Sequence, residues 1–164
     1  MDQMSYVMQQ LLTGVSVGGQ YALIAIGYTM VYGILRLINF AHGDIFMMAG
    51  FFMVYLSATM PIYLSIPAVL LLTVALGVLV ERVAYKPLRT APRMSIMISA
   101  IGVSYLLQNF ATYYTGGLPQ KYPTIPWIGD NVTFAGVATS RVTLLTPVLT
   151  LALGIGLVAL IRYT

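Results

Sequence analysis

Three long stretches of the chain, residues 3–35, 45–80 and 94–120, carry no charged side chain. The hydrocarbon core of a bilayer is about 30 Å thick and needs roughly 20 apolar residues per helix. Each stretch meets or exceeds that length, so the pattern predicts an integral membrane protein. The composition agrees, because 59% of the residues are hydrophobic and only 7% are charged, too few to solvate a globular surface.

Proline and glycine residues divide these stretches into helices. As a single helix, residues 45–80 would be roughly 54 Å long, too long for one crossing. Pro61 and Pro67 fall inside this stretch, and proline ends or kinks a helix because it lacks a backbone N–H. The predicted fold is therefore an all-α, polytopic transmembrane helix bundle in a single membrane domain, 1–164. Its five spans are expected near 11–35, 45–60, 66–80, 94–114 and 142–161. Arg36 is expected to close the first, the glycine pair Gly116 and Gly117 to end the fourth, and a loop to join the fourth to the fifth.

The second span is short, and a polar segment precedes it at residues 39–44. A short span beside a polar segment indicates a short or broken helix near 39–60. Such a break is tolerated at membrane depth only where protein or a water-filled cavity satisfies the freed backbone groups.

The basic residues predict the orientation of the spans. With five spans, six basic residues lie on one side and only Lys121 and Arg141 on the other, and the richer side is expected to be cytoplasmic. The N-terminus is then outside. The cytoplasmic set is Arg36, Arg82, Lys86, Arg89, Arg93 and Arg162. The four residues in 82–93 form a loop that orients the protein or docks on a partner or on anionic lipid.

The polar segment holds Asn39, His42 and Asp44, and His42 is the only histidine of the chain. Polar groups at membrane depth are costly and tend to line pathways or to pair with one another. Two interpretations stay open: a substrate-pathway element, or an ordinary turn at the interface. One histidine with one carboxylate falls short of a metal site, so neither a metal nor a cofactor is expected.

Polar and small residues also recur within the spans. Hydroxyl and amide groups of the fourth helix can replace the hydration of a solute or simply bond between helices; the candidates there are Ser95, Ser99, Ser104, Gln108 and Asn109. Small residues on the first helix form a stripe suited to close helix packing. That stripe comprises Gly14, Gly18, Ala22, Ala25, Thr29 and Gly33.

Several other functions find little support. No nucleophile with a partner base, no aspartate pair in a span and no H-E-x-x-H motif is present, so an enzyme is not expected. The basic residues lie between apolar runs, which argues against nucleic acid binding. A secondary transporter would need a coupling carboxylate inside a span and usually a repeated half. A non-transporting membrane scaffold, for which the small-residue stripe alone would suffice, stays an alternative.

Three strings carry a specific resemblance: YALIAIGYTMVYGILRLINFAHGDIFMMAG at 21–50, ERVAYKPLR at 81–89 and ISAIGVSYLLQN at 98–109. Together they resemble the permease subunit of the branched-chain amino acid ABC transporter family. The NFAHG core and the ERVAY-x-PLR loop are far more distinctive than any apolar run. Family permeases are longer, so the chain is expected to be the N-terminal part of one.

The resemblance implies a multi-pass permease of the bacterial inner membrane. A second permease subunit, two ATPase subunits and a periplasmic binding protein that delivers leucine, isoleucine or valine would be its partners. Relatives in the family carry urea or short amides, which leaves such a permease as an alternative. Asn39, Phe40, His42 and Gly43 would belong to the family's signature element, with Asp44, Ser99, Gln108 and Asn109 expected beside it along the substrate pathway.

Overall fold

The computed structural model describes residues 3–35, 38–123, 130–134 and 137–163. Arg36, the predicted end of the first helix, lies outside this part of the chain. Five α-helices and one β-hairpin make up the described residues. In chain order they are α1 (Gln3–Leu35), α2 (His42–Thr59), α3 (Ile62–Val80), α4 (Arg93–Thr115), β1 (Asn131–Phe134), β2 (Val137–Ser140) and α5 (Arg141–Tyr163).

The five helices confirm the predicted all-α bundle. Within the described residues, α1, α3, α4 and α5 are long and apolar enough to cross a membrane. The remaining helix, α2, has 18 residues and begins with His42, Gly43 and Asp44. At about 27 Å it is shorter than the hydrocarbon core. The expected short helix in this region is therefore present, and it includes part of the polar segment that the sequence placed before it.

Two helix starts differ from the predicted boundaries. Helix α1 begins at Gln3 and not near residue 11, because the segment before residue 11 contains no helix breaker and several good helix formers. Helix α3 begins at Ile62, directly after Pro61, so Pro61 alone separates α2 from α3. Pro67 lies inside α3, where it removes one donor from the helical ladder without ending the helix.

The predicted loop between the fourth and fifth spans contains a β-hairpin. Strands β1 and β2 pair antiparallel, with Val132 opposite Thr139. Their valine and threonine residues favour strands, a signal that the neighbouring turn-forming residues obscured in the sequence. Next to the hairpin, the backbone N–H of Arg141 donates to the carbonyl of Asp130 over 3.2 Å, and their side chains form an ion pair of 3.7 Å.

The chain divides into two compact units, Met1–Met30 with Thr124–Thr164, and Val31–Pro123. In the first unit, α1 packs closely on α5. A Cβ atom built on Gly19 would lie 3.1 Å from Oγ1 of Thr150, and one built on Gly154 would lie 3.8 Å from Cδ1 of Ile26. A side chain at Gly19 would require Thr150 to shift by a few tenths of an ångström, so the two helices lie close to each other near this glycine.

The second unit consists of the end of α1, then α2, α3 and α4. Its buried core is formed by Met48 of α2 with Leu107 and Ala111 of α4. After α3 the chain makes a π-helical turn at Glu81–Tyr85 and a 3-10 turn at Lys86–Leu88 before α4 begins. These turns form the first part of the basic loop, and they belong to the second unit.

The end of α4 confirms the predicted stop at the glycine pair. Gly116 has φ of 65° and Gly117 has φ of 70°, left-handed conformations that cost glycine little. The N–H of Gly117 donates to the carbonyl of Thr112 over 3.0 Å, which satisfies one of the carbonyls left open at a helix end.

Candidate functional site

The candidate site is a set of three polar side chains between α2 and α4. Asp44, in the first turn of α2, is only 8% exposed. One of its carboxyl oxygens accepts a hydrogen bond from the hydroxyl of Ser104, and the other accepts a bond of 2.9 Å from Nε2 of Gln108. Nε2 of Gln108 also lies 3.1 Å from the Ser104 hydroxyl. We call Asp44, Ser104 and Gln108 the Asp44 cluster.

Each member of the Asp44 cluster is positioned by a helix. Ser104 and Gln108 are four residues apart, so they lie on the same face of α4. Asp44 is in the first turn of α2, where the helix dipole favours a negative group. Because both carboxyl oxygens have donors, the cost of burying this acid is largely offset.

Ser104 places the cluster along α4. Helix α4 is about 34 Å long, and Ser104 stands midway between its ends, Arg93 and Thr115. Further along, the rings of Tyr55 and Tyr114 pack edge to face with centroids 5.2 Å apart. Helix α2 therefore begins beside the middle of α4 and runs along its second half.

The turn before α2 is held by Asn39. Its side-chain oxygen accepts bonds from the backbone N–H of Ala41, at 3.1 Å, and from the hydroxyl of Tyr85, at 2.6 Å. The N–H of His42 donates to the Asn39 carbonyl over 3.2 Å. Asn39 thus fastens the turn to the π-helical segment after α3.

Ser99 makes a second link between α4 and that segment. Its hydroxyl donates to the carbonyl of Ala84 over 3.2 Å. Asn39 and Ser99 thus both contact the 81–85 segment. Asp44 and Gln108 meet in the Asp44 cluster.

Other predicted site residues lie elsewhere. Phe40 and Gly43 are exposed, and His42 is half-buried with a partner of its own. The Asn109 side chain donates to the carbonyl of Tyr105 on its own helix over 2.7 Å. The structure therefore does not bring Asn109 to the Asp44 cluster, and its expected role in the pathway stays a prediction.

The sequence did not place Ser104 in the substrate pathway, and it did not single out Tyr85 at all. Ser104 was named only as one of several hydroxyl groups on the fourth helix, and its spacing of four from Gln108 was the available signal. Tyr85 lay in a loop identified mainly by its basic residues. The tyrosine carried no signal, because only the fold shows that its hydroxyl reaches Asn39.

The basic loop contains one ion pair. Arg89 and Glu81 approach to 2.5 Å, while Arg82, Lys86 and Arg93 are exposed. Such a pair at the surface contributes about 0–1 kcal/mol, so it shapes the loop more than it stabilises the protein. The exposed cations remain available to solvent, lipid headgroups or a partner.

The small residues of the α1 stripe have free space beside them in the part of the chain that the structure describes. A Cβ atom built on Gly14, Gly18 or Gly33 meets no atom within 4 Å, and Ala22 is exposed. The close contact to α5 uses Gly19 instead. The predicted packing of the stripe against another helix therefore stays a prediction.

The described residues include no group of three or more His, Cys, Asp or Glu side chains able to hold a metal ion. The Asp44 cluster supplies one acid, one hydroxyl and one amide. Such a set can exchange hydrogen bonds with a polar solute.

Comparison with known proteins identifies the family. The family model described as the branched-chain amino acid transport system permease component matches residues 10–164. That match covers nearly the whole chain, including every residue of the Asp44 cluster. The chain belongs to this permease family.

Curated relatives agree with the family match. The chain is 37% identical to the high-affinity branched-chain amino acid transport system permease protein LivH of Salmonella typhimurium, over 99% of the chain and 57% of the relative. It is 36% identical to LivH of Escherichia coli over the same shares, and 37% identical to BraD of Pseudomonas aeruginosa over 96% of the chain and 55% of the relative. The chain thus spans little more than half the length of these permeases. No solved structure matches it.

Proposed function

We propose that this chain forms part of the translocation path of an ATP-driven importer for branched-chain amino acids. The observation that carries the proposal is the Asp44 cluster beside the middle of α4. Burying an ionisable group within a membrane-spanning segment is energetically costly, and such groups usually mark a substrate or ion path. The family match supports a transport role over a membrane scaffold, for which no buried acid is needed.

The remaining parts of the importer follow from the family. A second permease subunit would complete the path, two ATPase subunits would hydrolyse ATP, and a periplasmic binding protein would deliver the substrate. The permease itself would catalyse no reaction. The protein would lie in the bacterial inner membrane with the N-terminus outside and the basic loop, 81–93, in the cytoplasm, as the distribution of basic residues indicates.

Uptake measurements test the role of Asp44. We expect Asp44→Asn, introduced into the complete transporter, to lower ATP-dependent uptake of labelled leucine at least tenfold while the amount of protein in the membrane stays normal. Asparagine keeps the shape but replaces one acceptor oxygen with a donor that faces Gln108 Nε2 or the Ser104 hydroxyl.

Asp130→Asn is the matched control. It makes the same chemical change in an exposed residue next to the β-hairpin, outside the helices. It should leave uptake unchanged. If Asp44→Asn transports leucine as well as this control does, the Asp44 cluster is not part of the path and the proposal is wrong.

A further inference from the structure

An apolar cavity lies next to the Asp44 cluster. It has a volume of about 360 Å³, lies between α2, α3 and α4, and is open on one side, where Leu72, Phe110 and Tyr114 are exposed. Met48 and Ala111 line it at the end nearest to the cluster, and Tyr55, Leu72 and Tyr114 line it further along. All of these residues belong to one compact unit of the chain.

The size and lining of the cavity limit what it can hold. Small-molecule pockets usually measure about 300–1,000 Å³, so this cavity suits a small ligand. Its wall is aliphatic and aromatic, with almost no polar surface. A charged or strongly polar group placed there would lose its hydration without gaining a partner. The cavity therefore suits a compact hydrocarbon group.

The cavity and the Asp44 cluster are one helical turn apart on both helices. Met48 follows Asp44 by four residues on α2, and Ala111 follows Gln108 by three on α4, separations of about 6 Å and about 4.5 Å along the helix axes. These separations are comparable to the distance between the amino group and the branched methyl groups of an aliphatic amino acid. No member of the Asp44 cluster lines the cavity itself, so a ligand that uses both features must extend from one to the other.

We propose that the cavity and the Asp44 cluster together form a binding site for a branched aliphatic amino acid. The amino group bonds to the carboxyl group of Asp44, displacing the hydrogen bond from Ser104 or Gln108, and the branched side chain enters the cavity beside Met48 and Ala111. The side-chain N–H groups of Gln108, a member of the Asp44 cluster, donate to the substrate carboxylate. The inference rests on the proposed transport of branched-chain amino acids and adds the place where the substrate is recognised.

The choice of a branched aliphatic substrate comes from the combination of the two features. Urea or a short amide would satisfy the polar cluster but would leave the cavity without an occupant. A lipid chain would fill the cavity but would gain nothing from the buried acid. Only a ligand with a cationic head and a compact apolar end uses both parts of the site.

Filling the cavity tests the proposal. In the complete transporter, Ala111→Leu should reduce leucine and isoleucine uptake at least tenfold while reducing alanine uptake less than threefold, because only the larger side chains need the filled space. Ala75→Leu is the matched control: it makes the same substitution on an exposed residue of α3 that does not line the cavity. The control should keep the substrate preference of the unchanged protein.

Enlarging the cavity is the second test, and it keeps the proposal open to refutation if Ala111→Leu does not fold. Leu72 lines the cavity and is 43% exposed, whereas its neighbour Leu71 is 72% exposed and does not line it. Leu72→Ala should raise phenylalanine uptake relative to valine uptake at least threefold, and Leu71→Ala should not.

The result also separates this inference from the proposed function. If the unchanged transporter takes up no branched-chain amino acid, the proposed function fails. If it does take them up but Leu72→Ala keeps the same preference as Leu71→Ala, the proposed function stands and the cavity is not the side-chain site.

Discussion

Asp44 and Gln108 are 64 positions apart in the sequence and are joined by a hydrogen bond of 2.9 Å between the carboxyl group and the side-chain amide. This bond fixes the start of α2 beside the middle of α4. It joins an acidic group in the first turn of one helix to a side-chain amide of another.

The first prediction concerns the donors to Asp44. Ser104→Ala should lower the free energy of unfolding by about 1–3 kcal/mol, because it leaves one buried carboxyl oxygen without its donor. Denaturant titration of the purified protein in detergent measures this change. Ser57→Ala is the matched control, since the Ser57 hydroxyl donates only to the carbonyl of Val54 on its own helix. Equal stabilities of the two variants would show that the bond to Asp44 contributes nothing.

The second prediction concerns the bond between Asn39 and Tyr85. Tyr85→Phe should destabilise the protein by about 1 kcal/mol, because it removes one donor while the Ala41 N–H still bonds to Asn39. In a double-mutant cycle, Tyr85→Phe should have little further effect in an Asn39→Ala background. Tyr113→Phe, at a highly exposed position on α4, serves as the control. Additive effects of Tyr85→Phe and Asn39→Ala would contradict the contact.

The third prediction compares two adjacent glycines of α1. Gly18→Ala should be neutral or stabilising by up to about 1 kcal/mol, because alanine favours a helix and its Cβ meets no atom within 4 Å. Gly19→Ala should be the less stable of the two, because its Cβ would press against Oγ1 of Thr150 at 3.1 Å. Thermal unfolding in detergent gives the order, and Thr150→Ala should remove the difference.

The same pair of glycines tests the small-residue stripe. If Gly18 packs against a further helix in the assembled transporter, Gly18→Ala should reduce the amount of assembled complex even though the isolated chain tolerates it. Normal assembly of the Gly18→Ala variant would show that the stripe faces lipid.

The fourth prediction concerns topology. The chain has no native cysteine, so single cysteines can be introduced at Ser5, Thr90 and Asn131 and tested with a thiol reagent that does not cross membranes. Thr90, inside the basic loop, should react only from the cytoplasmic side, and the other two only from outside. Reaction of the Thr90 variant from outside would reverse the proposed orientation.

Sequence alone was sufficient for much of the fold. The lengths of the uncharged runs predicted helices long enough to span a membrane, because lipid offers no partner for an open backbone and the helix satisfies its own. The glycine pair at 116–117 and Pro61 located two helix ends because of their local backbone preferences. These signals are local, and so the sequence carries them. Pro67 misled the prediction, since packing and membrane surroundings tolerate a proline inside α3.

The sequence also singled out Asp44 and Gln108, but it could not show that they meet. Their contact depends on which residue of α2 lies beside which residue of α4, and that register is decided by packing around Met48, Leu107 and Ala111. The same reason explains why Gly19, outside the predicted stripe, makes the close contact to α5. Residue types and spacing therefore determined the helices and the polar candidates, whereas the tertiary structure alone decided which of them meet, because contacts between distant segments depend on the packing of whole helices.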